Sequence, residues 1–542
     1  MHKYWYKEAV IYSMDIRSFK DSDGDGLGDL RGMIEHFNYF VELGVNCIWI
    51  LPFYASEGKD FGYDIKGYME VDPKLGTLDD FRELMELAKK HDIKILLDLV
   101  VNHTSIKHPW FMEARQHKDS PYYDYYIWAK ERPENHAEDV IFEQVEDSNW
   151  EYDEVAGEYY YHTFYHFQAD LNIPNPEVQK EIREIIEFWM KFGIAGFRMD
   201  AVPHLVRKKG VDKDLDDSFE VLDSFKKIVT SYHPDGTLVG EADVEPEEYL
   251  DYFEGRRIDG IFNFYFNNFF FYSLATNDPQ PLIKAFKRLP DTHESECYLN
   301  FIRNHDELDL GRLSDEERET VYKKYAPEED MKIYGRGIRR RLPPMVGNDK
   351  RILEFCYSVL LSFPGTPVLR YGQEIGMGDD LSLKERNSVR TAMQWNSGKN
   401  GGFSDADSTD DMWPVIRSGE YGFQQVNVEN QLKDKESLLN ALKEMIRIRK
   451  GNPALSHGPF EVVETGNPVV MAHICRFEND TVLALHNFSE KEEELTIPED
   501  ALKNVALTPT FSRRMISMNG SEERRITLGP YGFAWFCTEG IS

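Results

Sequence analysis

The sequence predicts an α/β protein: a (β/α)8 TIM barrel with an inserted subdomain after strand 3 and a C-terminal antiparallel β-sandwich domain. Three observations carry this expectation. Eight short β-rich runs alternate with helix-patterned segments, a stretch dense in Tyr, Trp and His interrupts the alternation after the third run, and short alternating runs take over after residue 450.

The strand candidates, in order, are "AVIYSMDIRSF" (9–19), "VNCIWILPF" (45–53), "IKILLDLVVNH" (93–103), "GIAGFRMDAV" (193–202), "TLVGEA" (237–242), "GIFNFYF" (260–266), "CYLNFIRNHD" (297–306) and "GTPVLRYGQE" (365–374). Runs this apolar suit strands buried on both faces. Between them, "LDDFRELMELAKKH" (78–91) places Phe81, Leu84, Leu87 and Ala88 on one helical face, and "PEVQKEIREIIEFWMKFG" (176–193) is patterned in the same way. The predicted barrel takes residues 1–103 and 170–449, with a charged, helical excursion at 307–350 that contains "GIRRRLPP". The inserted subdomain takes 104–169, too long for an ordinary connection. The C-terminal β-domain takes 450–542, where "PVVMAHICRF" and "TVLALHNF" alternate.

The 542 residues carry a net charge of −33, a field that repels phosphate backbones and argues against nucleic acid as a partner. Aromatic residues make up 13 %, which suits the flat faces of sugars as well as a core. Five scattered cysteines (Cys47, Cys297, Cys356, Cys475, Cys537) show no CxxC spacing, so neither a disulfide framework nor a zinc site is expected. The start "MHKYWYKEAV" lacks the apolar stretch of a secretion signal, and no run of about 18 apolar residues occurs. Cytoplasmic residence with no membrane partner is the expectation. The sequence leaves open whether the chain forms a homo-oligomer.

"DSDGDGLGD" (21–29) begins like a calcium loop, with Asp21, Asp23 and Asp25 at alternate positions before Gly26. An EF-hand needs a bidentate Glu at the twelfth position, which here is Gly32, and a strand candidate rather than a helix precedes the loop. Acids this crowded repel one another without a counter-ion. Asp21, Asp23, Asp25, the Leu27 carbonyl and Asp29 are therefore the expected ligands of one hard cation, Ca2+ or Mg2+. No organic cofactor is expected.

Barrel active sites gather at the C-terminal ends of the strands. Those ends offer His103, Arg198 with Asp200, Glu241, and His305 with Asp306, while Asp64 lies in the loop after strand two. One such Asp is ordinarily a helix cap. Three carboxylates facing one cavity beside Arg and His point to catalysis.

"DLVVNH", "GFRMDAV", "GEA" and "FIRNHD" are similar, in order and spacing, to the four signature segments of the α-amylase superfamily of glycoside hydrolases, and "QADLN" (168–172) resembles a fifth. The resemblance spans essentially the whole chain. It implies a retaining mechanism with Asp200 as nucleophile, Glu241 as acid and base, and Asp306 binding two sugar hydroxyls. Arg198 would keep Asp200 ionised, and His103, His305, Asp64, Gln168 and Arg390 would bind the glucose, with Tyr63 as a stacking face. It also implies that the acidic loop holds a structural Ca2+ or Mg2+. A second family calcium site would use Asn102 and Asp170, and here Arg207 is expected to stand in for the ion.

Within the superfamily, "GIRRRL", "RNHDELDL" and "ERNSVRTAMQW" resemble the trehalose synthase branch, the maltose α-glucosyltransferases. Ala392 and Ala169 stand where that pattern has proline, and the segment from Ile261 to Phe271, expected to line the acceptor side, departs from it. The implied substrates are small α-glucosides: maltose, trehalose or sucrose. The alternative to transfer is hydrolysis, or transfer to another acceptor, by the same residues.

Overall fold

Eight parallel strands close in chain order: β1 (Ile11–Met14), β2 (Cys47–Ile50), β3 (Lys94–Leu99), β4 (Gly196–Met199), β5 (Thr237–Gly240), β6 (Gly260–Phe262), β7 (Cys297–Phe301) and β8 (Thr366–Arg370), with β8 returning to β1. Every one of the eight predicted runs contains its strand. The computed structural model describes residues 4–207, 209–210, 218–408, 412–498, 501, 507–519 and 524–538.

Strand alternation divides the buried side chains into two cores. Ile11, Trp49, Leu96, Val239, Leu299 and Val368 belong to the core inside the barrel, closed below by Trp5 and Tyr6. The other faces meet the helices in the larger core. Thr77 caps the helix Leu78–Lys90 through a capping box, and the helix buries Phe81, Leu84 and Ala88, while Leu87 is only partly buried. Pro176 opens the helix Pro176–Met190 after the Asn175 cap. Gly196 starts β4 at a φ of 147°, where a Cβ would lie 1.8 Å from the Thr237 carbonyl oxygen, so the close approach of β4 to β5 requires glycine.

The expected strand at 260–266 is shorter than predicted. Asn263 caps the Phe266 amide at 2.9 Å and turns the chain into the helix Phe264–Thr276, which is buried on nearly every side. Apolar periodicity alone does not distinguish a buried helix from a strand.

A two-stranded stem, His103–Ser105 against Gln168–Asp170, opens and closes the insertion. Beyond it lie the helix Pro109–Ala114 and a three-stranded antiparallel sheet (Trp128–Ala129, Glu158–Tyr161, Trp150–Asp153). The excursion between β7 and β8 is only partly helical. The helix Asp315–Tyr325 is accompanied by a small sheet of Leu308–Asp309, Gly337–Ile338 and Lys332–Ile333, so part of "GIRRRL" is strand. The C-terminal part is an antiparallel sheet domain of Glu461–Val462, Val470–Phe477, Asp480–Asn487, Glu493–Ile497, Leu507–Asn519 and Arg524–Thr538. It docks on the barrel helix Lys350–Ser362, where Ser358 meets Trp535 Nε1 and His486 Nε2, each at 2.9 Å. All five cysteines are buried free thiols. Among the described residues no helix is long and apolar enough to cross a membrane.

Candidate active site

Arg198, near the end of β4, gathers three carboxylates from three strand ends. Its Nη1 donates to Asp98 at 2.8 Å and Asp200 at 2.6 Å, and its Nη2 lies 2.7 Å from Glu241. The guanidinium sits 5.0 Å above the Trp49 ring, which fixes it from the barrel interior. Strand register sets this meeting, since Arg198 is the partner of Asp98 across β4 and β3. One positive charge faces three buried negative ones, so the group retains protons near neutrality. Burial pushes Asp98 up to about 6, Asp200 to about 7 and Glu241 to about 7, with Arg198 opposing each rise.

Asp306 lies in the opposite field. Arg386 Nη1 (2.7 Å) and Arg390 Nη2 (2.8 Å) both donate to its Oδ1, and His305 Nε2 lies 3.0 Å from Oδ2. Burial acts against its charge, yet His305, Arg386 and Arg390 hold its carboxyl well below the usual carboxylate range. Tyr63 donates to Asp98 Oδ2 at 2.8 Å and stacks on His305, with centroids 5.5 Å apart and planes 2° from parallel. His103 Nε2 is 3.1 Å from the Tyr63 carbonyl oxygen, and Gln168 Nε2 donates to Asp60 at 3.1 Å.

These groups line a cavity of about 450 Å3, in the size range of small-ligand sites. Of the residues expected from the sequence, Tyr63, His103, Gln168, Asp200, Glu241, His305 and Asp306 line it. Arg198 and Arg390 stand behind the wall, each 2 % exposed, and act by holding carboxylates.

Asp64 is a correction: it is fully buried and accepts the amides of Glu57, Lys59 and Asp60, so it shapes its own loop. Asp60, four residues earlier, is the carboxylate that reaches the cavity, where Arg386 Nη2 donates to it at 2.9 Å. Sequence reading also passed over Arg386, which stands four residues before Arg390 in "ERNSVRT". The Asp60–Arg386–Asp306 chain closes one end of the cavity.

The far end is lined by ion pairs that the motifs did not signal. Arg312 Nε faces Asp243 at 2.8 Å, and Arg336 Nε donates to Asp309 at 2.7 Å. Of the segment from Ile261 to Phe271, Phe264 alone lines the cavity among the described residues, while Ile261, Phe262, Phe266, Phe270 and Phe271 pack in the cores. Phe142 of the insertion packs on Tyr165 (4.5 Å) and on Tyr334 of the excursion (4.7 Å), and covers Arg386 at 4.9 Å. Tyr334 donates to Glu385 at 3.0 Å, so both additions to the barrel are pinned above the site.

In the acidic loop, Asp21, Asp23 and Asp29 bring carboxylate oxygens within 4.8 Å of one another. Asp25 turns aside to accept the Leu27 amide at 2.8 Å. Asp21 Oδ2 accepts from Ser404 Oγ at 2.6 Å, which ties the loop to the segment after "RTAMQW". Asp21 and Asp29 are buried and Asp23 is exposed, and with no cationic partner at ion-pairing distance among the described residues they form the kind of oxygen donor set that a hard divalent ion takes.

The second expected cation position is also corrected. Lys209, not Arg207, supplies the charge: its Nζ lies 2.8 Å from Asp170 Oδ2 and donates to Asn102 Oδ1 at 2.6 Å. Arg207 is about half exposed and reaches toward Glu248 at 3.7 Å.

A closed barrel with this arrangement at its strand ends defines an α-glycoside-processing enzyme, and the chain belongs to the α-amylase family. The model of the "Alpha amylase, catalytic domain" matches residues 11–328 and 339–458, and that of the "Maltogenic Amylase, C-terminal domain" matches 460–535. The chain is 38 % identical over 541 residues to the "Trehalose synthase/amylase TreS" of Mycobacterium tuberculosis, covering 98 % of this chain and 90 % of that one. It is 36 % identical to the "Trehalose synthase" of Pimelobacter sp., covering 98 % and 95 %. Among solved structures, the α-amylase from H. orenii superposes with a TM-score of 0.78 at 27 % identity, covering 98 % of this chain and all of that one. The trehalose-6-phosphate hydrolase of Bacillus licheniformis superposes with a TM-score of 0.76 at 26 % identity, covering 99 % and 100 %.

Proposed function

We infer that the enzyme interconverts maltose and trehalose by intramolecular glucosyl transfer. The observation that carries this reading is whole-length similarity to enzymes named trehalose synthases, at 36–38 % identity, on a chain that retains Asp200, Glu241 and Asp306 around one cavity.

Asp200 attacks C1 of the glucose at the closed end, and Glu241 gives its proton to the leaving glycosidic oxygen. One guanidinium holds both carboxylates, Asp200 at 2.6 Å and Glu241 at 2.7 Å, and a retaining mechanism works with such a pair about 5–5.5 Å apart. Asp200 draws its charge from the contact with Arg198, and Glu241 keeps the shared proton until the leaving oxygen takes it. The bond from C1 to oxygen breaks as the ester to Asp200 forms. Asp306, held ionised by its arginines, binds the sugar hydroxyls and favours the cationic ring. The released glucose turns within the cavity. Its anomeric hydroxyl then attacks C1, Glu241 recovers the proton and Asp200 leaves. The Phe142–Tyr165–Tyr334 cover keeps water out during the turn.

The acidic loop holds one Ca2+ or Mg2+ in this reading, through Asp21, Asp23 and Asp29. The ion braces the loop after β1 and takes no part in the chemistry.

Hydrolysis, or transfer to another acceptor, is the second reading. The ion-paired acceptor end of the cavity favours it, because charged walls make a different bed for glucose than neutral ones. Incubation with maltose alone decides between them: trehalose should accumulate with glucose as the minor product. Glucose without trehalose would overturn the transfer reading in favour of hydrolysis.

A further inference from the structure

Arg17 stands just after β1, in the single turn Ile16–Ser18, where the Asp15 side chain accepts its amide at 2.6 Å. It is 5 % exposed and is not among the residues that line the cavity. Its guanidinium crosses instead to the loop that follows β2. Nη1 donates to the carbonyl of Pro52 near the start of that loop (2.8 Å) and to the carbonyl of Phe61 near its end (3.2 Å). Asp15 Oδ2, fully buried, balances the charge at 3.0 Å.

The Phe61 end of the loop is strained. Phe61 has a φ of 54° and Gly62 a φ of 94°, and a bulky side chain stays in the left-handed region only where its surroundings impose it. At Gly62 a Cβ would lie 2.4 Å from the Pro52 carbonyl oxygen and 2.6 Å from Arg17 Nη2, so only glycine fits beside the guanidinium. This bend aims three neighbouring side chains at the closed end of the cavity. Asp60 accepts from Arg386 at 2.9 Å and from Gln168 at 3.1 Å. The Phe61 ring lies 4.4 Å from the Arg390 guanidinium, and Tyr63 donates to Asp98 at 2.8 Å. Arg386 and Arg390 in turn both donate to Asp306 Oδ1.

We propose that Arg17 is a positioning residue of the glucose pocket. By clamping the Pro52 and Phe61 carbonyls it holds the left-handed bend, and the bend sets Asp60 and Tyr63 directly and Asp306 through its two arginines. The proposal rests on the reading of the cavity as a glucoside site. It applies to transfer and hydrolysis alike, because both use the same glucose pocket.

The test uses the intact enzyme with p-nitrophenyl α-D-glucoside, which reports on either route. In Arg17→Met that remains folded, KM should rise about tenfold while kcat falls less, the signature of lost ground-state binding. Arg17→Lys, which keeps a donor and a charge beside Asp15, should recover most of that loss. In a double-mutant cycle, Arg17→Met should add less than about threefold to the loss already caused by Asp60→Ala, because both act on the same pocket wall. Fully additive losses, or a lower Tm with KM unchanged, would overturn the proposal and leave Arg17 a part of the scaffold. If Arg17→Met does not fold, the charge-balanced pair Asp15→Asn with Arg17→Met replaces it. A crystal structure of the folded variant decides without reference to turnover: Phe61 should leave the left-handed region and Asp60 should part from Arg386, whereas an unmoved loop would overturn the proposal. A parent enzyme that leaves the glucoside intact would count against the functional reading, and the variant structure would still decide the role of Arg17.

Discussion

Arg198 shows how much of this active site hangs on one side chain. It is the shared counter-charge of Asp98, Asp200 and Glu241, and the surplus of acid around it leaves Glu241 protonated near neutrality, with its carboxyl pushed up to about 7. A carboxyl raised in the fold loses stability as pH rises, because between about 4.5 and 7 the unfolded chain releases a proton that the folded chain keeps. Glutamine carries no such penalty. Glu241→Gln should therefore abolish turnover and raise Tm relative to the parent, by little at pH 5 and by the equivalent of about 1–3 kcal/mol at pH 8. A Tm difference that does not change over that range would mean that Glu241 is ionised in the fold. The residues of this site were legible where strands fix them, since a position at the end of a buried strand fixes both depth and direction. They were not legible in loops. Asp60 and Asp64 are both acids of "GKDFGYD", and positive φ at Phe61 (54°) and Gly62 (94°) decides which one faces the cavity. Neither angle has a period to read. Lys209 and Arg207 were confused for the same reason, as both follow the short helix Val202–Val206 in irregular chain.

At the scale of elements, the eight barrel strands were the plainest signal, because burial on both faces removes polar residues from the run. The segment after β6 was misread because a helix buried on nearly every side removes them equally. The loop from Asp21 to Asp29 and the cover over the site each allow a test. Chelation by EDTA, or Asp23→Ala, should lower Tm by several degrees while surviving enzyme keeps its kcat, because the loop braces β1 from outside the cavity. Loss of kcat in proportion to removed metal, without loss of Tm, would make the ion catalytic instead. In the cover, Phe142 is the ring on which Tyr165, Tyr334 and Arg386 converge. Under the proposed mechanism, Phe142→Ala should admit water to the glucosyl intermediate and lower the ratio of trehalose to glucose several-fold, while maltose consumption changes less. An unchanged ratio would show that the cover does not exclude water.

Across the whole molecule, the barrel and the C-terminal sheet meet over two histidines. His473 and His486 are fully buried, their rings parallel within 3° at 5.9 Å. His473 Nε2 donates to the Ser362 carbonyl at 3.0 Å, His486 Nε2 meets Ser358, and Phe355, Phe363, Phe460 and Phe533 pack around the two rings. Burial lowers His473 to about 4, and burial together with His473 holds His486 well below the ordinary range. Their contribution to stability is complete above about 6.5 and is lost as pH falls toward 4, since the unfolded chain takes up protons that the fold refuses. The parent should lose on the order of 2 kcal/mol from each histidine by pH 5, and His473→Gln should flatten the decline of Tm between pH 7 and pH 5. Equal slopes in parent and variant would count against the histidine pair as the acid-sensitive joint.

Lys209 differs from a metal ion in one respect that reaches beyond geometry. An ion at the joint of Asn102 and Asp170 would come and go with its concentration in the surroundings, and a dilute or chelating medium would strip it. An ammonium on the chain arrives with the chain: its effective concentration is set by a few bonds, and no medium can wash it away. The seam between barrel and insertion, on which His103 and Gln168 both ride, therefore forms during folding without waiting for a supply from outside. The exchange gives up adjustability for permanence. If the loop at Asp21 takes the proposed cation, free calcium can reach that loop, and it has no such handle on the stem that frames the cavity.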